Sequence, residues 1–376
     1  MDAGADGSLK IRAAHESQAP ANSLSQPTLH YVDGVRAVCA LFVLVAHTWF
    51  QPANGYYAER WMNKLGLSYS HLAVDAFIVV SGFVIGLPIA RSGDRIKSLP
   101  RFLKRRATRI LPPYYAALFL AVAFILLGAN RMTGTVWDNS LPLTWQRLLL
   151  HVSLLQNLPF AVPGGSISYQ LWSIAVEFQI YLLAPLLVLL ARKTSYAFCI
   201  ALTLALSFLV HRAFPALDLA WHWYVALFAM GAAAARATVR TPELAGKLFW
   251  PGMAALGLAG GSILLFGNAF FKSYIFWIDV AVGAGVTGVV AGLAGAEKNP
   301  LRRVLEHSWL AGIGRFSYSL YLIHPMLLHL IWLGLKRTTS FDNVELFFAM
   351  VALNPLIVLA AWAFYRAFER PFMVRR

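Results

Sequence analysis

The sequence predicts an all-α integral membrane protein, a bundle of about ten transmembrane helices with both termini in the cytoplasm. The first observation behind this is composition: 59% of the 376 residues are hydrophobic and 13% are charged, against about 45–50% and about 25% in soluble domains. A globule of this size has no interior for so much apolar surface, whereas a bilayer accepts about 20 mostly apolar residues per span. The second observation is the recurrence of such runs along the chain. The third is the placement of the formal charge of +15, which collects between alternate runs, as cytoplasmic loops require. Basic residues that sit between spans argue against a nucleic-acid partner and for the lipid bilayer, with the protein multi-pass in the cell (cytoplasmic) membrane.

Residues 1–30 are polar and rich in Ala, Ser, Gln and Pro. They read as a disordered cytoplasmic tail, with the first span as the insertion signal, and 31–376 reads as one transmembrane domain. Span one, 32–50, carries Arg36 and His47. Eleven residues at about 100° each return to within about 20° of the same face, roughly 16 Å along the axis, so both are expected to point into one cavity. A mixed loop, 51–70, leads to span two, 72–90. The segment 91–109 holds eight basic residues against the single acid Asp94 and sets the orientation, facing the cytoplasm.

Span three, 112–128, is expected to open with Pro112 and Pro113 in its first turn, where missing amide hydrogens cost nothing. The outer segment 129–168, with Trp137, Trp145 and a Gly164-Gly165 turn, is a candidate interfacial or re-entrant stretch. Spans four (169–191), five (195–211) and six (221–235) follow, with Arg192 and Lys193 after four and Arg236, Arg240 and Lys247 after six. Spans seven (249–267) and eight (274–294) are rich in Gly and Ala, which lets helices approach closely in lipid. Lys298, Arg302 and Arg303 precede spans nine (309–334) and ten (345–366), and Arg366, Arg370, Arg375 and Arg376 lie at the basic end. Cys39 and Cys199 lie singly in apolar runs and suggest neither a disulfide nor a metal site.

A charge at the bilayer centre costs at least about 2.5–3.5 kcal/mol, so ionisable residues within spans line a cavity or pair with one another. Here they are Arg36, His47, Glu177, His324, Asp279, and the pair His71 and Asp75, four apart at the start of span two. A structural ion pair is the plainer reading of each. None is grouped with metal-ligand spacing, so no metal is expected.

The sequence resembles the acyltransferase 3 family of integral-membrane O-acyltransferases. Asp33-Gly34-Val35-Arg36-Ala37 leading to His47 resembles its arginine, ten residues, histidine signature, and Asp75 to Ser81-Gly82-Phe83 its second-span motif. Phe102 to Pro112, with Lys104-Arg105-Arg106 and Arg109, is similar to its basic loop, and Trp172 to Glu177 to its span-four motif. Phe316-Ser317-Tyr318-Ser319-Leu320-Tyr321-Leu322-Ile323-His324-Pro325 is similar to its late Tyr-rich helix, and Glu369-Arg370-Pro371 to its ending. Phe178 departs from the second acid that many members carry after the glutamate. The family's hydrolase-like domain has no counterpart, so the stand-alone form is expected.

The resemblance implies transfer of an acyl group, often acetyl, from a coenzyme A thioester to a hydroxyl of a sugar or a glycosylated small molecule. Acyl-CoA is then a donor substrate, and no permanently bound cofactor is expected. A hydroxyl attacking a thioester needs a base, and an imidazole titrating near 6.5 suits neutral pH. His47 is the expected base and Glu177 the carboxylate expected to orient it; direct attack and an acyl-histidine intermediate are both compatible. Arg36, Lys104, Arg105, Arg106 and Arg109 are the expected donor-phosphate ligands. Asp33 offers Arg36 a structural alternative, and inside-positive topology explains the basic run equally well. Asp75, Trp172, Tyr318, Tyr321 and His324 form the expected acceptor side; Tyr318, Tyr321 and His324, spaced by three, share a helical face that bundle packing would also explain. The alternative from another class is a proton-coupled transporter or exporter, against which the two halves show no matched repeat.

Overall fold

The computed structural model describes residues 29–53, 66–158 and 166–373. Nearly all of the 1–30 tail, the Gly164-Gly165 turn, Arg375 and Arg376 lie outside the described residues. In chain order the helices are α1 (His30–Ala53), α2 (Leu72–Arg91), α3 (Leu99–Leu126), α4 (Trp145–Val152), α5 (Trp172–Lys193), α6 (Tyr196–Ala213) and α7 (Tyr224–Arg240). They continue with α8 (Pro242–Lys247), α9 (Phe249–Ser273), α10 (Ile275–Ala294), α11 (Pro300–Leu305), α12 (Ser308–Arg315), α13 (Ser317–Thr338) and α14 (Asn343–Phe364). Among the described residues there are no strands, and nine helices are long and apolar enough to cross a membrane. The tenth expected span is α7, a helix of 17 residues, about 25 Å at 1.5 Å per residue and so shorter than a hydrocarbon core of about 30 Å.

Two pairs of glycines set the deepest crossings. Gly82 on α2 faces the carbonyl oxygen of Phe228, and Gly231 on α7 faces that of Val79; a Cβ at these positions would lie 2.1 and 2.0 Å from those oxygens. Backbones therefore touch, which is how helices gain dispersion contact in lipid. The neighbours advance together along both helices, Gly86 meeting Ala232 and Ala235, so α2 and α7 run parallel. At the start of α1, Gly34 abuts Leu305 O, and Gly314 of α12 abuts Asp33 O, at 2.0 and 1.8 Å from an added Cβ. Nearby, the buried Arg302 donates to Leu293 O and Ala294 O at 3.0 Å each. These are carbonyls of the last turn of α10, which have no intrahelical donor. Its guanidinium also lies over the Tyr31 ring, 5.4 Å from the centroid, and Tyr31 donates to Val290 O at 2.8 Å.

Three expected boundaries move. Helix α3 begins at Leu99, with the Ser98 hydroxyl accepting from Arg101 N at 3.4 Å and Pro100 in the first turn. Pro112 and Pro113 thus lie inside the helix, where they remove the amide donors of the Thr108 and Arg109 carbonyls. The basic run is helical too, and continues into the span it precedes. The single span expected at 309–334 is two helices broken at Phe316 (φ −116°, ψ 18°), because α12 turns aside to seat Gly314 on Asp33. Helix α9 carries a kink at Gly267, whose φ of 76° suits a residue without a side chain.

The segment expected to be interfacial or re-entrant contains one short helix, α4. Helix α4 exposes Trp145, Leu148, Leu149 and Val152 while burying Arg147 and His151, the two-sided pattern of a helix lying in the headgroup plane. His151 Nδ1 donates to Arg147 O at 2.8 Å, and its Nε2 accepts from Ile167 N at 3.3 Å. Burial lowers its pKa from 6.5 to about 4. The same Nε2 also lies 2.6 Å from Ser166 Oγ.

Gly231→Ala is expected to destabilise the protein by at least about 1–3 kcal/mol, because the new methyl meets backbone rather than a movable side chain. Thermal unfolding in detergent reads this out, and an unchanged midpoint would refute the tight crossing. His151 binds its proton more weakly folded than unfolded, so its contribution is complete above pH 6.5 and lost as pH falls towards 4. That loss amounts to about 3 kcal/mol. His151→Gln is expected to flatten the stability profile in that window.

Candidate active site

Five helices enclose one cavity of about 780 Å³, counting its open mouth. Arg36 comes from α1, Ser81 from α2, Arg106 and Arg109 from α3, Glu177 and Tyr181 from α5, and Tyr318 and Tyr321 from α13. Apolar walls are supplied by Phe77, Ile78, Ile85 and Ile174. Three guanidinium groups against one carboxylate make the charged part of this cavity cationic. Glu177 accepts from the Tyr181 hydroxyl, which in turn accepts from Ser81 Oγ at 2.5 Å. Arg36 stands 3.8 Å from Asp33, a loose pairing that leaves its fork open to the cavity. Arg106 Nε is buried without a hydrogen-bond partner, a donor aimed at nothing in the protein.

His47 is not among the lining residues. Its Nδ1 lies 2.7 Å from His324 Nε2, with the two rings stacked at 5.0 Å between centroids, and Tyr169 packs edge-on against it at 5.3 Å. Tyr321 belongs to both regions: it lines the cavity, and its ring lies 5.8 Å from that of His324. Its hydroxyl donates to Gln170 O at 3.0 Å and accepts from Ser173 Oγ at 2.8 Å. Arg36 and His47, expected to point into one cavity, are not brought together: Arg36 lines the cavity and His47 pairs with His324 outside it. The roughly 16 Å rise between them places them at two depths, with Tyr321 between.

The bonding fixes where the protons sit. Pro325 has no amide hydrogen, so Tyr321 O lacks its usual donor four residues on. His324 Nδ1 takes that place at 2.9 Å, and also faces Leu320 O at 3.1 Å. Carbonyls only accept, so His324 carries its proton on Nδ1 and presents a lone pair at Nε2. His47 must then donate from Nδ1, which leaves its Nε2 unprotonated. His324 thus holds the position beside His47 at which the sequence expected Glu177. No hydrogen bond or ion pair joins Glu177 to His47 among the described residues. Glu177 belongs to the cationic end.

Other expected site residues are redistributed. Lys104 and Arg105 are exposed and outside the cavity; Lys104 falls on the far face of α3 from Arg106 and Arg109, while Arg105, one turn before Arg109, stands at the exposed start of the helix. Trp172 stacks on Trp221 at 4.7 Å and 25°, outside the cavity. Tyr318 lines the cavity but donates to Ile110 O at 3.1 Å. Asp75 faces away from the cavity: it lies seven residues, two helical turns, before Gly82, and so on the face that meets α7. There it joins His71 and Asp279, with ligand atoms within 4.8 Å of one another. The absence of metal-ligand spacing in sequence did not anticipate this grouping.

The acyltransferase domain model matches residues 29–366. The chain belongs to the acyltransferase 3 family. Acyltransferase MdmB of Streptomyces mycarofaciens is 32% identical over 165 residues, 43% of this chain and 39% of that protein. YrhL of Bacillus subtilis (strain 168), named as a candidate peptidoglycan O-acetyltransferase, is 29% identical over 164 residues, 41% of this chain and 23% of its own length. A candidate O-acetyltransferase of Staphylococcus aureus (strain COL), SACOL0978, is 26% identical over 163 residues, 42% of this chain and 24% of its own. The chain thus spans less than half the length of each of these acyltransferase 3 relatives. No solved structure matches it.

Sequence reading of this acyltransferase 3 chain missed Tyr169, Ser173 and Tyr181. The signal was present: with Glu177 they recur every fourth residue, one stripe along α5 and the turn before it. Tyr169 is the most consequential, because its hydroxyl is buried and unpaired while its ring touches His47.

Proposed function

We propose that this membrane O-acyltransferase uses acyl-CoA, acetyl-CoA in the simplest case, to acylate a hydroxyl of a carbohydrate or glycosylated small molecule. One arrangement carries this reading: a cavity cationic at Arg36, Arg106 and Arg109 leads to Tyr321, behind which stands a histidine pair with two unprotonated nitrogens, of which His47 Nε2 is the one not already accepting from the other ring. The phosphates of coenzyme A suit the guanidinium forks, Arg106 with its unpaired Nε among them. The apolar walls suit the pantetheine arm, which carries the thioester towards Tyr321. O-acetyl transfer named for two of the relatives supports the acyl class, and peptidoglycan in one of those names supports a glycan acceptor.

His47 Nε2 takes the proton of the acceptor hydroxyl as its oxygen attacks the thioester carbonyl. The new C–O bond forms, the C–S bond breaks, and the departing thiolate takes the proton from the imidazolium. His324 Nε2 accepts from His47 Nδ1 throughout, holding the ring and stabilising the charge that develops. Tyr169 offers its unpaired hydroxyl to the acceptor beside His47. The basic segment 91–109 assigns the cationic end to the cytoplasm, where acyl-CoA is made, and both termini with it. His47 then lies towards the outer side, from which the acceptor enters.

Purified protein in liposomes, supplied with radiolabelled acetyl-CoA and glycan acceptors, tests the assignment. His47→Ala is expected to lower kcat by about 10²–10⁴-fold with an unchanged thermal midpoint. His324→Ala should lower kcat with KM for either substrate little changed. Solute flux without any label transfer would overturn the enzyme reading in favour of a transporter. Arg106→Ala is expected to raise KM for acetyl-CoA by about 10–100-fold through loss of charge-assisted hydrogen bonds. The exposed Arg105→Ala should stay within about twofold. Equal effects of the two would assign the basic run to topology alone.

A further inference from the structure

We propose that His71, Asp75 and Asp279 bind a divalent cation of the Zn²⁺ or Mn²⁺ class at the outer end of the bundle, joining the start of α2 to the start of α10. The site is separate from the acyl-transfer cavity and does not depend on the reading of that cavity. Both carboxylates are fully buried, and their oxygens and His71 Nε2 all lie within 4.8 Å of one another. Ligands on one such ion at about 2.0–2.2 Å stand roughly 3–4.4 Å apart. The three groups are therefore at, or a few tenths of an ångström from, ligand spacing before any ion arrives.

Hydrogen bonding separates this cluster from an ordinary ion pair. Asp279 is satisfied: Oδ1 lies 2.9 Å from His71 Nε2, and Oδ2 accepts from Trp223 Nε1 at 2.9 Å. Trp223 fixes the carboxylate from behind, the arrangement that orients a ligand from outside a metal's own shell. Asp75 has no such arrangement. Both of its oxygens are buried without a hydrogen bond of ordinary length and angle, and so is the hydroxyl of Tyr224, although Tyr224 and Asp279 stand close enough to interact with it. A buried carboxylate with two unmatched oxygens beside a second carboxylate is costly unless a positive charge sits between them. A divalent cation supplies two charges for two carboxylates, and on binding it displaces the proton that His71 Nε2 gives to Asp279 Oδ1, so that the nitrogen ligates instead of donating.

The donor set narrows the ion. One imidazole with two carboxylates, and a phenol oxygen alongside, suits Zn²⁺ or Mn²⁺ better than Mg²⁺ or Ca²⁺, which prefer all-oxygen shells. His71 retains 17% exposure of its side chain, a route by which the ion reaches otherwise sealed carboxylates.

The full chain, purified in detergent, stripped with EDTA and titrated with Zn²⁺, provides the test. Wild type is expected to bind one equivalent saturably, measured by elemental analysis after gel filtration, and to gain thermal stability as it does so. Asp75→Asn and Asp279→Asn should each weaken that binding by at least about 100-fold. His71→Ala, at the partly exposed position, provides a third variant should either buried substitution prevent folding. No retained ion and no saturable Zn²⁺ or Mn²⁺ binding by wild type would overturn the proposal and leave a carboxyl pair sharing a proton. Equal binding by wild type and all three variants would overturn it too, by showing an adventitious ion only.

Discussion

The candidate site depends on a hydrogen bond that exists because a proline follows a histidine. Within α13 the Tyr321 carbonyl would ordinarily be closed by the amide four residues on, but that residue is Pro325. The orphaned oxygen is taken by His324 Nδ1 at 2.9 Å, and a carbonyl can hold only one outcome of the tautomer choice. Every later proton position follows from this: a lone pair at His324 Nε2, a hydrogen at His47 Nδ1, and a free lone pair at His47 Nε2. A backbone defect, usually counted against a helix, here sets which nitrogen of a ring on another helix is basic.

That arrangement also explains why the carboxylate and the base are kept apart. A glutamate bonded to His47 would add a buried anion beside a neutral histidine pair, where no guanidinium offsets it. Glu177 instead sits among Arg36, Arg106 and Arg109, anchored by the Tyr181 hydroxyl and, through it, by Ser81. One anion among three cations lowers the cost of holding guanidinium groups within an apolar bundle and leaves the cavity net positive. Charge is thereby confined to the cavity and the neutral histidine pair stands outside it, with Tyr321 touching both.

How far the sequence foretold this follows from what periodicity measures. A repeat of three or four residues gives the direction of a side chain around its own helix, so the common face of Tyr318, Tyr321 and His324 was legible, as was that of Arg36 and His47. It gives neither the partner helix nor the depth at which two helices meet. Glu177 was therefore matched to His47 on chemistry alone, when His324, 277 residues away, holds that place. The grouping of His71, Asp75 and Asp279 was hidden for the same reason, since 208 residues separate the histidine from the second aspartate. Helix starts were misread where a basic run, polar by composition, continued as helix through Pro112 and Pro113. Composition and the family resemblance located the spans; only long-range packing located the site.

The packing that matters most for that outcome is the parallel contact of α2 with α7. Gly82 and Gly231 fix the point where the two backbones touch, each against the other helix's carbonyl. Counting back seven residues from each glycine gives Asp75 on one helix and Tyr224 on the other. Seven residues are two turns, so both side chains keep the face of their glycine and, in parallel helices, the same height. The meeting of the unpaired carboxylate with the unpaired phenol is thus dictated by the crossing itself, and so is the turning of Asp75 away from the cavity. On the same helix, Ser81 is rotated by one residue from Gly82, enough to face Tyr181 and the cavity instead. A single close contact between glycines therefore sorts the polar residues of α2 into two sites, one towards the basic cavity and one towards the cluster with His71 and Asp279.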